Sequence, residues 1–289
     1  MTNTAPPTNS MAVIGGGTMG VGIAYVFAVA GWHVWVVEPD AKRSDSMRQI
    51  LKDAAAGGLK RGKLTPPQAL HASEGVQRIA SVAELPLGLD LVVESVPERE
   101  ALKLKVLAEI ALRQPHLIAT NTSALSVDTL ASAVPNPAQF FGMHFFNPVW
   151  SLPMVELIRG HHTDEKTLAL ARQYAQAIGK TSITVRDVPG FATSRLDLIS
   201  AMEAMRMLED GVASAQDIDL AMTTAYRHPM GPLRLSDIVG LDVRLDIARN
   251  LTEALGPRYA PPRILEDLVA QGHLGQKTGQ GFFSWPQAQ

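Results

Sequence analysis

The sequence predicts an α/β protein, with a mostly parallel sheet in its N-terminal part and a smaller all-α domain after it. Three observations predict this. A glycine-rich turn, Gly15-Gly16-Gly17-Thr18-Met19-Gly20, joins an apolar run to a helical one. Short apolar runs then alternate with helical stretches, the pattern of crossover connections in a parallel sheet. Past about Val188 the alternation stops, and apolar positions recur only at helical spacing.

The elements follow in order. Residues 1–10 are mostly Thr, Asn, Pro and Ser without a basic cluster or an apolar stretch, so a loose tail is expected rather than a signal peptide. Residues 11–14 form the first strand. Residues 18–30 read as a buried helix that Gly31 closes. Val34–Val37 is the second strand, and residues 40–56 read as an amphipathic helix that Gly57-Gly58 end. Strand-like runs follow at Leu89–Val93, Leu117–Thr120, Phe140–His144 and Val155–Ile158, with a weaker one at Val76–Ile79. Helical stretches at 98–113 and 164–178 separate several of them, and Ser182–Val185 is the last strand. Helices are expected at 191–210, 217–225, 236–255 and 262–271, with Ser214 and Asp217 as a capping-box variant. The expected division is a tail at 1–10, a nucleotide-binding domain of the Rossmann type at 11–187 and a helical domain at 188–289.

Composition narrows the function classes. The 289-residue chain carries a formal charge of -2, so neither nucleic acid nor an anionic membrane is the expected partner. It has no cysteine, which excludes disulfides, thiolate catalysis and thiolate metal sites. No apolar run approaches the roughly 20 residues of a membrane-spanning helix. A cytoplasmic location is the default expectation.

The Gly15–Gly20 turn fits G-x-G-x-x-G in the right context: a strand before it, a helix opening at it, and an acid, Glu38, ending the next strand. Glycines there permit a tight turn, close approach to a pyrophosphate and tight helix–strand packing. The helix N-terminus supplies unpaired N–H groups at its positive dipole end. Gly15, Gly17, Thr18, Met19 and Gly20 are therefore candidate cofactor contacts. Glu38 would bond the ribose hydroxyls and repel a 2′-phosphate, which favours NAD over NADP.

Gly142-Met143-His144-Phe145-Phe146-Asn147-Pro148 places a histidine and an amide at the carboxyl end of a strand, where open α/β sheets bind ligands. Asn121-Thr122-Ser123 follows another strand and should reach the same crevice. Glu156 interrupts an apolar strand, and a buried carboxylate needs a partner. His144 is the candidate. A carboxylate–imidazole pair suits alcohol oxidation: the ring takes the hydroxyl proton while hydride leaves for a nicotinamide.

Taken together, these motifs resemble the L-3-hydroxyacyl-CoA dehydrogenase family, in particular its short bacterial members. The resemblance runs from about Met11 to Trp285. It rests on the glycine loop, Val92-Val93-Glu94 with Glu98 and Lys103, Asn121-Thr122-Ser123, Gly142–Val149 and Glu156. It continues through Pro189-Gly190-Phe191, His228-Pro229-Met230-Gly231-Pro232 and Lys277-Thr278-Gly279 with Gly281-Phe282. It implies His144 as general base, Glu156 as its orienting partner, and Ser123 at the substrate hydroxyl or thioester. It implies that Glu98, Lys103, Ser123, Asn147 and Lys277 line an NAD site. It also implies an acyl-CoA substrate and a helical domain that forms a homodimer. One position departs: Ser194 stands where the family commonly has asparagine, and a serine offers a shorter, single hydroxyl donor.

Other readings of the same residues are a dehydrogenase of this fold acting on a non-CoA secondary alcohol, and a non-catalytic NAD-binding protein. Lys60, Arg61 and Lys63 form a basic cluster that could meet the 3′-phosphate of coenzyme A or simply be an exposed turn. His161-His162 reads as structural or solvated rather than as a metal site. Met202, Met205 and Met207 read as helix packing, and Asp242, Arg244 and Asp246 as the wet face of a helix.

Overall fold

A computed structural model describes residues 9–286. The chain divides into two compact units, one ending at Val188 and the other starting at Pro189. In the first, β1 (Ser10–Ile14), α1 (Thr18–Val29), β2 (His33–Val37), α2 (Ala41–Lys60), α3 (Pro66–Glu74) and β3 (Val76–Ile79) are followed by β4 (Leu91–Glu94) and α4 (Glu100–Ala111). Next come β5 (Leu117–Thr120), α5 (Val127–Ala131), β6 (Phe140–Phe145), β7 (Met154–Arg159), α6 (Glu165–Ala177) and β8 (Thr181–Arg186).

The eight strands form one sheet in the order β3-β2-β1-β4-β5-β6-β7-β8. From β3 to β6 every neighbouring pair is parallel, and β6 and β7 are antiparallel. Strand order reverses between β1 and β4, so the loops after these two strands flank the crevice where such sheets take ligands. The central strands are apolar on both faces, as a sheet covered by helices on both sides demands. Met11, Val13, Val34, Val93, Ala119 and Phe141 are all buried in the main core.

Five sequence expectations need correction here. The expected tail at 1–10 lies outside the described residues up to residue 8, but Ser10 already belongs to β1. It is buried, and its N–H and hydroxyl both donate to Asp90. Helix α2 does not stop at Gly57-Gly58 but continues to Lys60. Gly58 is there for packing, because a Cβ would come within 2.9 Å of the Leu64 side chain and 3.1 Å of the Tyr25 hydroxyl. Helix α3 was not anticipated, although its start signal is written in Thr65-Pro66-Pro67-Gln68. Thr65 and Gln68 form a reciprocal capping box with proline in the first turn.

The fourth correction is in the second unit, which holds α7 (Thr193–Glu209), α8 (Ala215–Ala225), α9 (Pro232–Val239), α10 (Leu241–Leu255) and α11 (Arg263–Ala270). The single helix expected at 236–255 is two, broken at Gly240 with φ +103°, a conformation an L side chain rarely adopts. Arg244 also differs from expectation: it is buried and paired with Asp197, not on a wet face. Met202 and Met205 are fully buried in this unit's core, as their helical spacing predicts. Buried Asp237 anchors the C-terminal segment by accepting from the N–H groups of Phe282 and Phe283 and from the Trp285 indole. Among the described residues, no helix is long and apolar enough to cross a membrane.

Candidate active site

The glycine turn behaves as its sequence requires. Gly15 has φ +109°, and a Cβ there would sit 2.7 Å from the Ser95 carbonyl oxygen. A Cβ on Gly20 would overlap the Gly15 carbonyl oxygen at 1.8 Å, so α1 could not pack this closely on β1 with any other residue. Gly17 is different, because nothing lies within 4 Å of its would-be Cβ. Its bareness faces open space, which fits backbone approached by a ligand. Gly17 is also the N-cap of α1 and makes no side-chain cap, leaving first-turn N–H groups for an anion. These features fit a dinucleotide's pyrophosphate.

Glu38 closes β2 and is buried. Its carboxylate accepts from the Gly16 N–H at 3.0 Å and from the Asp40 N–H at 3.0 Å. The two bonds fix the acid beside the glycine turn and leave lone pairs for hydroxyl donors. Arg43, in the first turn of α2, lines the same cavity. Sequence reading passed it over as one more charge on an amphipathic helix.

This cavity, about 510 Å³, brings together most of the expected site. Gly15, Gly17, Thr18, Met19, Glu38, Glu98, Ser123, His144 and Asn147 all line it. So does Asn121, as its place after β5 predicts, and so do Ser95, Val96 and Pro97 from the loop after β4, which the sequence does not single out. Gly20 lies under the turn within α1 rather than on the wall. Asn121 ties two strand ends together: its side-chain amide donates to Ser95 at 3.3 Å, and its oxygen accepts from the Phe145 N–H at 3.0 Å.

His144 and Glu156 face each other directly in the antiparallel register of β6 and β7. Directly opposed residues share one face of the sheet with their Cβ atoms about 5 Å apart, so the strand pairing itself delivers the contact. Nδ1 of His144 lies 2.8 Å from Oε2 of Glu156. The carboxylate is fully buried, and the ring is nearly so. An ionised carboxylate can only accept, so Nδ1 carries the proton and Nε2 is the basic nitrogen. That is the arrangement of a general base with an orienting acid.

Glu98 accepts from the Thr122 hydroxyl, from the N–H of Ser123 at 3.0 Å and from the N–H of Ala124 at 3.1 Å. Burial pushes its carboxyl up, but the Thr122 hydroxyl, the Lys103 ammonium and the Ser123 N–H outweigh it and hold the group below the usual carboxylate range. Lys103 corrects an expectation. It does not reach the cavity wall: its side chain has 0% exposure, with Nζ 2.8 Å from Glu94 and 3.3 Å from Glu98.

The remaining candidates lie elsewhere. Arg61 and Lys63, with Lys180, Tyr25 and Trp150, line a second cavity of about 460 Å³ in the first unit, whereas Lys60 is exposed and outside it. Ser194 sits in the first turn of α7, half-buried. Lys277, in the C-terminal segment of the helical unit, is held by both oxygens of Asp242 at 2.6 Å. Among the described residues, no group of three metal-ligating side chains converges.

Comparison with known proteins finds relatives over nearly the whole chain. Residues 10–188 match the NAD-binding domain of 3-hydroxyacyl-CoA dehydrogenase, and residues 190–285 match the C-terminal domain. A 3-hydroxybutyryl-CoA dehydrogenase of Mycobacterium tuberculosis is 37% identical over 280 residues, covering 95% of this chain and 98% of its own. A probable 3-hydroxybutyryl-CoA dehydrogenase of Deinococcus radiodurans is 36% identical over 282 residues, 94% of this chain and 99% of its own. The crystal structure of (S)-3-hydroxybutyryl-CoA dehydrogenase from Ralstonia eutropha matches with a TM-score of 0.91 at 34% identity, covering 96% of this chain and 99% of that one.

Proposed function

The chain belongs to the 3-hydroxyacyl-CoA dehydrogenase family, and from that premise we propose that it oxidises a short-chain L-3-hydroxyacyl-CoA to the 3-ketoacyl-CoA with NAD, and runs the reverse. One observation carries the reading: His144, paired with Glu156 at 2.8 Å, stands on the wall of the same cavity as Gly15, Gly17, Thr18 and Met19 of the glycine turn.

In the oxidation direction His144 takes the proton of the 3-hydroxyl on Nε2. Glu156 holds the ring in the productive tautomer and stabilises the imidazolium that forms. NAD, when bound, supplies the hydride acceptor. Ser123 is positioned to donate to the substrate oxygen, while Glu38, Glu98 and Asn147 bind the nucleotide. Ser194 and Lys277 are assigned to the substrate and the cofactor by family resemblance.

Arg61 and Lys63 extend the reading to coenzyme A. They bring two cations to one groove beside the Tyr25 and Trp150 rings, which suits a phosphorylated adenosine, and Lys60 is left out of the assignment. Arg61→Ala should raise KM for acetoacetyl-CoA by roughly tenfold, the worth of one charged hydrogen bond, and leave KM for a pantetheine ester that lacks the nucleotide unchanged. Equal effects on both esters would remove Arg61 from the CoA site. A homodimer through the helical unit belongs to the same proposal, supported by Leu220 and Tyr226, 59% and 73% exposed at α8. Light scattering that gives a monomer mass would remove it.

The direct test follows absorbance on mixing the protein with NADH and acetoacetyl-CoA, with NADPH and free acetoacetate as controls. Loss with NADH and the CoA ester alone is expected. Turnover of free hydroxy acids instead would transfer the assignment to a non-CoA alcohol, and NADH binding without turnover of any substrate would make the protein a nucleotide-binding one.

A further inference from the structure

Beneath the cavity lies a charged cluster that the reaction scheme above does not use. Glu94 ends β4 with its side chain fully buried. Its carboxylate accepts from the Val96 N–H at 2.7 Å, the Thr120 hydroxyl at 2.6 Å and Lys103 Nζ at 2.8 and 2.9 Å. Lys103, one turn into α4, also donates to the Val96 carbonyl at 3.3 Å and lies 3.3 Å from Glu98 Oε2. The other oxygen of Glu98 collects the three donors of residues 122–124. A continuous line of contacts thus runs from a strand end through one ammonium to a second carboxylate, and on to the turn that carries Ser123.

We propose that Glu94 and Lys103 are positioning residues: Lys103, tied to Glu94, fixes the carboxylate of Glu98, and Glu98 in turn fixes the turn bearing Ser123 on the cavity wall. Two carboxylates converge on one cation, whose charge offsets their mutual repulsion. Glu98 sits below the usual carboxylate range, as this arrangement requires. The charged groups around Glu98 are Lys103 and Glu94 behind it, with His144, Glu38 and Arg43 on the same cavity wall. The inference deepens the NAD reading and rests on it for what Glu98 touches. It departs from the role the family resemblance implied for Lys103, which was direct contact with the nucleotide.

The two roles separate in an NADH titration, followed by fluorescence from about pH 4.5, within the usual carboxylate range, up to about pH 8. In Lys103→Met, Glu98 loses its cation and takes up a proton at higher pH. NADH affinity should fall severalfold at the acid end, toward the roughly tenfold limit that one unit of pKa sets, and recover as pH rises. In a Glu98→Gln background the same substitution should add little, because Lys103 acts through Glu98. A loss equal at every pH, or one that adds in full to Glu98→Gln, would mean direct contact and overturn the proposal. Should Lys103→Met not fold, Glu98→Gln decides alone: kcat at saturating NADH should fall about tenfold as the Ser123 turn loosens. An unchanged kcat with only NADH affinity weakened would overturn the proposal. The NADH titrations need no acyl-CoA, so failure of the wild type to reduce acetoacetyl-CoA would count against the proposed function, whereas a pH-independent loss in Lys103→Met would count against this inference.

Discussion

Two acid–base pairs stand on the same sheet, toward the ends of β4 and β6 with β5 between them, both buried and both at 2.8 Å: Glu156 with His144, and Glu94 with Lys103. They differ in what the acid's partner can do with a proton. An imidazole ordinarily titrates near neutrality and an ammonium about four units higher. Glu94 is saturated by four donor contacts from three residues, whereas Glu156 is bonded to an imidazole, the side chain type suited to proton transfer. The sheet thus sets an ammonium–carboxylate pair behind the cavity wall apart from an imidazole–carboxylate pair whose ring stands on it.

Substitutions can break that contrast. The largest effect is expected from His144→Gln, with kcat lower by about 10²–10⁴-fold and NADH affinity nearly unchanged. Near-normal turnover would end the general-base role. Glu156→Gln should cost less, about 10²-fold, since an amide oxygen can still orient Nδ1 but no longer stabilises the imidazolium. Thr120→Val belongs to the other pair and should act on stability instead. Losing its hydroxyl bond to buried Glu94 should cost about 1–3 kcal/mol in thermal or denaturant unfolding, with kcat held. A kcat loss as deep as that of Glu156→Gln would erase the distinction.

The smallest effect concerns pH. The carboxyl of Glu98 is lower in the folded protein than in the unfolded chain, so its stabilisation is present above the ordinary carboxylate range and is lost as pH falls through the folded value. The difference in Tm between wild type and Glu98→Gln should therefore shrink on acidification. A constant difference would show that the folded protein does not favour the ionised form.

The His144–Glu156 contact was legible in the sequence and the Glu94–Lys103 contact was not, for a physical reason. His144 and Glu156 are polar intrusions in apolar strands, and strand alternation says which residues point inward. Lys103 sits in a helix rich in charge, where a lysine is ordinarily solvated. Its burial depends on Glu94 and Glu98 converging from a strand end and a loop, which no local period encodes. Gly58 and Arg244 were misread for the same reason, since a glycine in a helix or an arginine beside aspartates has a default meaning that tertiary packing can override. Thr65 and Gln68 are a different case, because their capping signal was local and simply went unused.

The antiparallel turn-back from β6 to β7 has a consequence for assembly. The histidine and its acid are 12 residues apart along the chain, whereas the bond from Ser10 to Asp90, which helps seat β1 beside β4, spans 80. Loop-closure entropy grows with the logarithm of contour length, so the longer closure costs about 1.7 kcal/mol more. A hairpin of this kind is among the cheapest contacts an extended chain can make, and the wall that recognises the nucleotide is among the dearest. The proton-handling pair is thus a near-neighbour contact of the polymer, and the crevice that gives it a reaction partner is a property of the whole sheet.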